Sequence, residues 1–332
     1  MHHHTSRRFP RLVLGLTLAA GVALATGHLV AAGQRATTAG SALPRTPDGR
    51  PDLQGIWNNS TQTPLQRPAA LGAKQFYTDE ELAKLRLRDH DQKPADGDPG
   101  TYNQFWWEEG GLLKQTSLIV DPPDGRIPPL TAEGERRRRE RMARGGERDD
   151  NPEDRNLAER CITRGAPKLP GGYNNHFQIV QTPQYLAIEQ EMIHDVRIIP
   201  LDARPHAPAA VRSFLGDSRA RWEGDTLVVE TTNFRRDIDE TSYNCCGNAG
   251  EGLTIVERFT LLDKDTIDYR YTVNDPTIFT RPWTVSLPMR RAAGPIYEYA
   301  CHEGNHAMVG ILRGGRAMEK KKAATTEQGA RN

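Results

Sequence analysis

Only four of the 332 residues are cysteine, and no two of them form a C-x-x-C pair, which removes the usual ligand spacing of a structural zinc site. An excess of charge is missing too. With 44 Lys+Arg against 43 Asp+Glu the formal net charge is +1, so no global field exists to recruit nucleic acid or an anionic bilayer, and neither is expected as a partner. There is no G-x-x-x-x-G-K-[ST] loop and no G-x-G-x-x-G following a strand, so no nucleotide cofactor is expected. Ser218 lacks a G-x-S-x-G elbow, which leaves a Ser-His-Asp triad without a basis. No repeat of propeller length occurs. Long apolar runs are confined to one, and with a mean hydropathy of −0.68 a polytopic membrane protein is excluded.

That single run extends from Leu12 to about Ala32, preceded by Arg7, Arg8 and Arg11 and ending in the small-residue stretch Val30-Ala31-Ala32. A basic segment, an apolar segment and a small-residue stop make residues 1–32 a signal peptide, and the chain is expected to be exported to the periplasm or beyond. Pro10 and Arg11 stand where a twin-arginine signal needs apolar residues, which favours the general secretory route. Removing 1–32 takes away three arginines and no acid, leaving a mature chain of net charge −2. Residues 33–50 are small and polar and read as a disordered leader, with no membrane association beyond the signal segment.

In an oxidising compartment Cys161, Cys245, Cys246 and Cys301 can pair. A bridge from Cys161 to Cys301, or to one member of the 245/246 pair, would staple a long connection to the main body; a vicinal 245/246 bridge is the strained alternative.

Thr78-Asp79-Glu80-Glu81 is a capping box and predicts a helix over 79–90. Thr116 to Val120 reads as a strand, 131–155 as a solvated charged helix or excursion, and Asn151-Pro152 as the start of a short helix reaching Cys161. Beyond Pro170 the period becomes two. Strands are predicted over 177–182, 185–191, 194–201, 220–222, 226–234, 253–262, 266–274 and 283–289, joined by turns such as Glu223-Gly224-Asp225. Such short links require antiparallel neighbours, and about eight strands suffice to close a small barrel. The fold class is therefore mainly β: an antiparallel, closed or nearly closed barrel with short helices and long loops inserted after the first strand. One domain is expected over 51–312, with excursions at 58–170, a meander at 171–291, and a polar tail at 313–332.

The opening Gly55-Ile56-Trp57 followed by a meander resembles the lipocalin or broader calycin barrel. The blocks LIVDPPDGRIP (118–128), NNHFQIVQTPQYLAIEQEMIHDVRIIPLDARPH (174–206), GDSRARWEGDTLVVETTNF (216–234), TRPWTVSLPM (280–289) and IYEYACHEGN (296–305), together with PDLQGIW near the start, are similar to a family of secreted proteins of environmental bacteria. That resemblance implies export and a barrel-like body. It carries over no activity and no functional residue.

Candidate chemistry rests on ionisable groups set among apolar ones. In the inward row Leu253, Ile255, Glu257, Phe259, Leu261 a carboxylate interrupts an apolar face, where burial would tune it as a general acid or base unless an arginine such as Arg197 or Arg221 meets it. Glu191 and His194 face opposite sides of an unbroken strand and converge only across a tight turn. His302 completes the catalytic candidates Glu257, Glu191 and His194. A divalent metal, zinc or iron, could draw on the imidazoles of His206, His302 and His306 and on a carboxylate from Glu303 or Glu191. Tyr269, Tyr271, Trp283, Tyr297 and Tyr299 are the aromatic candidates for ligand binding; for the first three, the alternative is a plain core face. The resulting expectation is an exported enzyme that uses acid–base chemistry, metal-assisted or not, on a small apolar or aromatic molecule held in the barrel, as a lyase, isomerase or hydrolase. A non-catalytic, lipocalin-like binding protein of the periplasm is the alternative.

Overall fold

The computed structural model describes residues 43–90, 108, 110–143, 151–235 and 252–331. Residues 1–32, expected to be a signal peptide, and the Cys245–Cys246 pair lie outside them.

Eleven strands are described. They are β1 (Gly55–Asn58), β2 (Ile119–Asp121), β3 (His176–Gln181), β4 (Tyr185–Gln190), β5 (Val196–Pro200), β6 (Asp217–Glu223), β7 (Thr226–Thr232), β8 (Thr254–Asp263), β9 (Thr266–Asn274), β10 (Trp283–Ser286) and β11 (Met289–Arg291). Nine run in the order β5-β4-β3-β1-β11-β9-β8-β7-β6, with antiparallel pairing throughout, and β10 lies beside β9 and β2. The end strands β5 and β6 approach each other without joining the ladder, so the barrel is nearly closed.

The alternation that predicts the meander also sets its inside. Ile255, Glu257, Phe259 and Leu261 are buried while Arg258 is exposed, and Ile267, Tyr269, Tyr271 and Val273 repeat the pattern on β9. Burying each large apolar side chain contributes roughly 1.5–3 kcal/mol, and a one-residue slip would forfeit the whole row. The predicted strand 283–289 is two strands. Pro288 offers no N–H to a ladder, and the chain steps there from the edge shared with β2 to the edge shared with β1.

The G-x-W segment has a physical reason in the barrel. Trp57 is fully buried and donates its Nε1–H to the Leu53 carbonyl at 2.9 Å. The Arg291 guanidinium covers the Trp57 ring at 4.3 Å and donates to the Gln54 carbonyl at 3.0 Å. Gly55 has a φ of +126°, and a Cβ there would lie 2.3 Å from Arg291 Nη1, so glycine permits the approach.

Among the described residues, 58–170 hold β2 and two α-helices, α1 (Asp79–His90) and α2 (Ala132–Ala143). The capping box forms as predicted: Glu81 N–H donates to Thr78 Oγ1 at 3.2 Å and Thr78 N–H to Glu81 Oε2 at 2.8 Å. Helix α2 carries the charge run, with Glu133 bound to Arg136 and Arg137 and Glu135 to Arg138. The helix expected from Asn151 to Cys161 is only a 3-10 turn over Pro152–Asp154; Arg155 is already extended, which ends it. Two further expectations change. Residues 43–50 of the leader are ordered by an Arg45–Pro51 bridge and an Arg45–Asp225 ion pair. The polar tail belongs to a long helix, α3 (His306–Arg331). No described helix is long and apolar enough to cross a membrane.

Candidate functional site

Glu257 is not an isolated carboxylate. It lies fully buried inside the barrel, where Arg197 from β5 donates Nη1 to its Oε2 at 2.5 Å and Nη2 to its Oε1 at 2.9 Å, and the Tyr269 hydroxyl donates at 2.8 Å. Burial alone would lower the Arg197 guanidinium, but the facing carboxylate holds it above its ordinary value. Burial pushes the Tyr269 hydroxyl well up. The arginine comes from across the interior rather than from a strand next to β8, and the arrangement is a structural ion pair. Tyr269, Tyr271 and Trp283 belong to the buried hydrophobic core and are not on the wall of the cleft described below.

The proposed metal set is not assembled either. The two ring nitrogens of His206 face Asp217 at 2.8 Å and Glu230 at 3.2 Å on the β6–β7 wall, while His302, Glu303 and His306 are exposed around the start of α3. A tight turn does separate Glu191 from His194, formed by Met192–His194 with Ile193 at φ 62° and His194 at φ 47°. It does not bring the two together. His194 is exposed with Nδ1 at 3.1 Å from the Tyr299 carbonyl, whereas Glu191 is buried and turns to His176.

His176 is the residue that sequence reasoning passed over. It opens β3, and β1 and β3 pair Asn58 directly with it; Glu191 continues the same row by donating its N–H to the His176 carbonyl at 3.0 Å. Trp57 and Phe177 point into the core, so Asn58 and His176 lie on the opposite, outward face. Here Glu191 Oε2 lies 3.0 Å from His176 Nδ1, and Glu108 Oε1 lies 3.8 Å from the same nitrogen. The hydrogen bond to Glu191 raises His176 above its ordinary value against the opposing effect of burial. For Glu191 burial works upward, yet the imidazole holds it below the usual carboxylate range.

The surroundings fix these groups. Asn58 Oδ1 accepts the Ser60 N–H at 2.7 Å, which turns its Nδ2 toward Glu108 Oε2 at 2.8 Å and His176 Nε2 at 3.2 Å. In this arrangement Nε2 presents a lone pair and Nδ1 carries the ring proton to Glu191. Asn175 donates its backbone N–H to Glu108 Oε1 at 3.1 Å and its amide to Oε2 at 3.1 Å, while its own Oδ1 accepts from Lys168 Nζ at 2.9 Å. Lys168 is 4% exposed, and burial pulls its ammonium down to about 8.

These groups open into a cleft of about 1160 Å³. One wall holds Glu108, His176 and Glu191; the facing wall holds Tyr297, Tyr299 and the first turns of α3. The Cys161–Cys301 disulfide, one of the expected pairings, ties the two sides together, and Asn305 Nδ2 adds a bond to the Glu159 carbonyl at 3.0 Å. Glu191, Tyr297 and Tyr299 are thus the sequence candidates that the fold collects in one place. The lining residues described include no serine, threonine, lysine or free cysteine, so nucleophiles of those types are absent from this part of the wall. No protein-family model, no curated protein and no solved structure matches the chain.

Proposed function

We propose that the protein is an exported enzyme that transforms a small molecule by acid–base chemistry in the cleft at Glu108, His176 and Glu191. The observation that carries this reading is the convergence of two carboxylates and an imidazole, with donor atoms within 4.8 Å of one another, on the wall of an open cleft. The barrel interior contributes a rigid wall for the row Asn58–His176–Glu191 and is not the ligand site. With no serine, threonine, lysine or free cysteine on the described lining, proton transfer or activation of water is the chemistry that Glu108, His176 and Glu191 supply, as in a lyase, isomerase or hydrolase. Tyr297, Tyr299 and Ile311 suit a partly apolar substrate. Export is supported by the apolar leader and the Cys161–Cys301 bridge.

The test is to incubate the protein and its H176N and E191Q variants with a small-molecule extract and follow every component by mass spectrometry. A component consumed by the wild type and untouched by both variants, with all three melting alike, is the expected result. If no component changes beyond the buffer control, the enzymatic reading is lost; a component retained unchanged by the wild type would make the cleft a binding site instead.

A further inference from the structure

The donor atoms of the cluster are spaced for more than a hydrogen-bonded pair. Zinc binds imidazole nitrogen and carboxylate oxygen at about 2.0–2.2 Å, so two ligands of one tetrahedral ion stand about 3.4 Å apart. His176 Nδ1 lies 3.0 Å from Glu191 Oε2 and 3.8 Å from Glu108 Oε1, one contact slightly inside and one slightly outside that edge length. All three donor atoms lie within 4.8 Å of one another, so closing the widest edge by no more than about 1.4 Å would place them on one ion.

The supports match those of a metal centre, where partners behind the ligands set their orientation. Glu108 is held by the backbone and side-chain amides of Asn175. Glu191 is buried and approached by the His176 and Tyr297 backbone N–H groups, each at 3.4 Å. His176 is fixed in the β1–β3 ladder.

From this geometry we propose that Glu108, His176 and Glu191 bind one divalent first-row cation, with zinc the best match to an imidazole and two carboxylates, and that its remaining position opens into the cleft. The cation takes the place of the Nδ1 proton now shared with Glu191. The ring proton moves to Nε2, so the Asn58 amide must turn over to accept it, releasing both the Ser60 N–H and Glu108 Oε2, which the metal ion then holds instead. The inference rests on the cleft being the reaction site and recasts its chemistry. The three side chains become ligands, and water on the open position, acidified by the ion, is the proton-transfer group.

The experiment is a calorimetric titration of the chelator-treated full chain with zinc chloride, and with manganese chloride for comparison. The wild type is expected to bind one zinc more than H176A, and E108Q and E191Q to weaken that site at least tenfold. H206A and the H302A/H306A double variant should leave it unchanged. Glu108 is partly exposed, so E108Q keeps the test valid should H176A or E191Q fail to fold. Equal stoichiometry and affinity in wild type, H176A and E108Q would overturn the proposal, as would loss of the site only in H302A/H306A. Because binding is read without substrate, zinc binding in a protein that turns nothing over would remove the enzymatic reading alone. Turnover unaffected by complete removal of metal would overturn the ion's part in the chemistry and leave the acid–base reading standing.

Discussion

Arg197 on β5 and Glu257 on β8 meet inside the barrel through two parallel hydrogen bonds of 2.5 and 2.9 Å, although neither strand neighbours the other in the sheet. Removing one partner leaves a buried, uncompensated charge, which costs about 3–5 kcal/mol, whereas a pair of apolar residues of similar size can be nearly neutral. R197M should therefore lower unfolding stability by about that amount, and R197M/E257L should recover most of it. Urea unfolding of the single and double variants measures the difference. A single variant as stable as the wild type would show that the charges do not depend on each other.

Reduction should act on the cleft and the fold together. The Cys161–Cys301 bridge closes a separation of 140 residues, and its loss is expected to cost about 2–5 kcal/mol. C161S/C301S should melt lower, and reducing agent should shift the wild type while leaving that variant unchanged. An unaltered wild-type melt under reductant would contradict this.

Lys168 gives stability a dependence on pH. Its folded value is about 8 against an ordinary 10.5, so between these limits the unfolded chain binds more protons and stability must rise with pH. Below about pH 8 the burial penalty is fully present, about 3 kcal/mol by linkage, and it disappears toward pH 10.5. Urea midpoints of wild type and K168M from pH 7 to 10 isolate the effect. The difference between them should change across that range; parallel curves would assign the slope to other groups.

G55A tests the start of the barrel. A Cβ would meet Arg291 Nη1 at 2.3 Å while the backbone is held at φ +126°, so a loss of about 1–3 kcal/mol is expected, together with displacement of the guanidinium from the Trp57 ring. Tryptophan fluorescence and thermal unfolding report the two effects. Fluorescence and melting both equal to the wild type would mean that Arg291 can move aside freely.

Period-two alternation determined the strands and the inward row around Glu257, because side-chain direction in a strand follows from position alone, and the short turns between strands determined the antiparallel pairing. Local chemistry likewise settled the Thr78 cap, since both of its bonds join residues three apart. The candidate site was legible only in part. Glu191 stood out as a carboxylate in a β-patterned stretch, and the aromatic 297–299 segment as a cluster, but their partners did not. Glu108 and His176 are separated by 68 positions, and no spacing rule links a loop residue to the first residue of a strand. The tertiary structure decided that meeting. The β1–β3 register sets Asn58 beside His176, the strained turn at Ile193 aims Glu191 back along the same row, and the long 58–170 connection brings in Glu108. It also decided which arginine neutralises Glu257, because closing the barrel brings the far wall into reach. Faces are local properties of the chain, whereas contacts across a barrel or between a loop and a sheet exist only once the whole chain has folded.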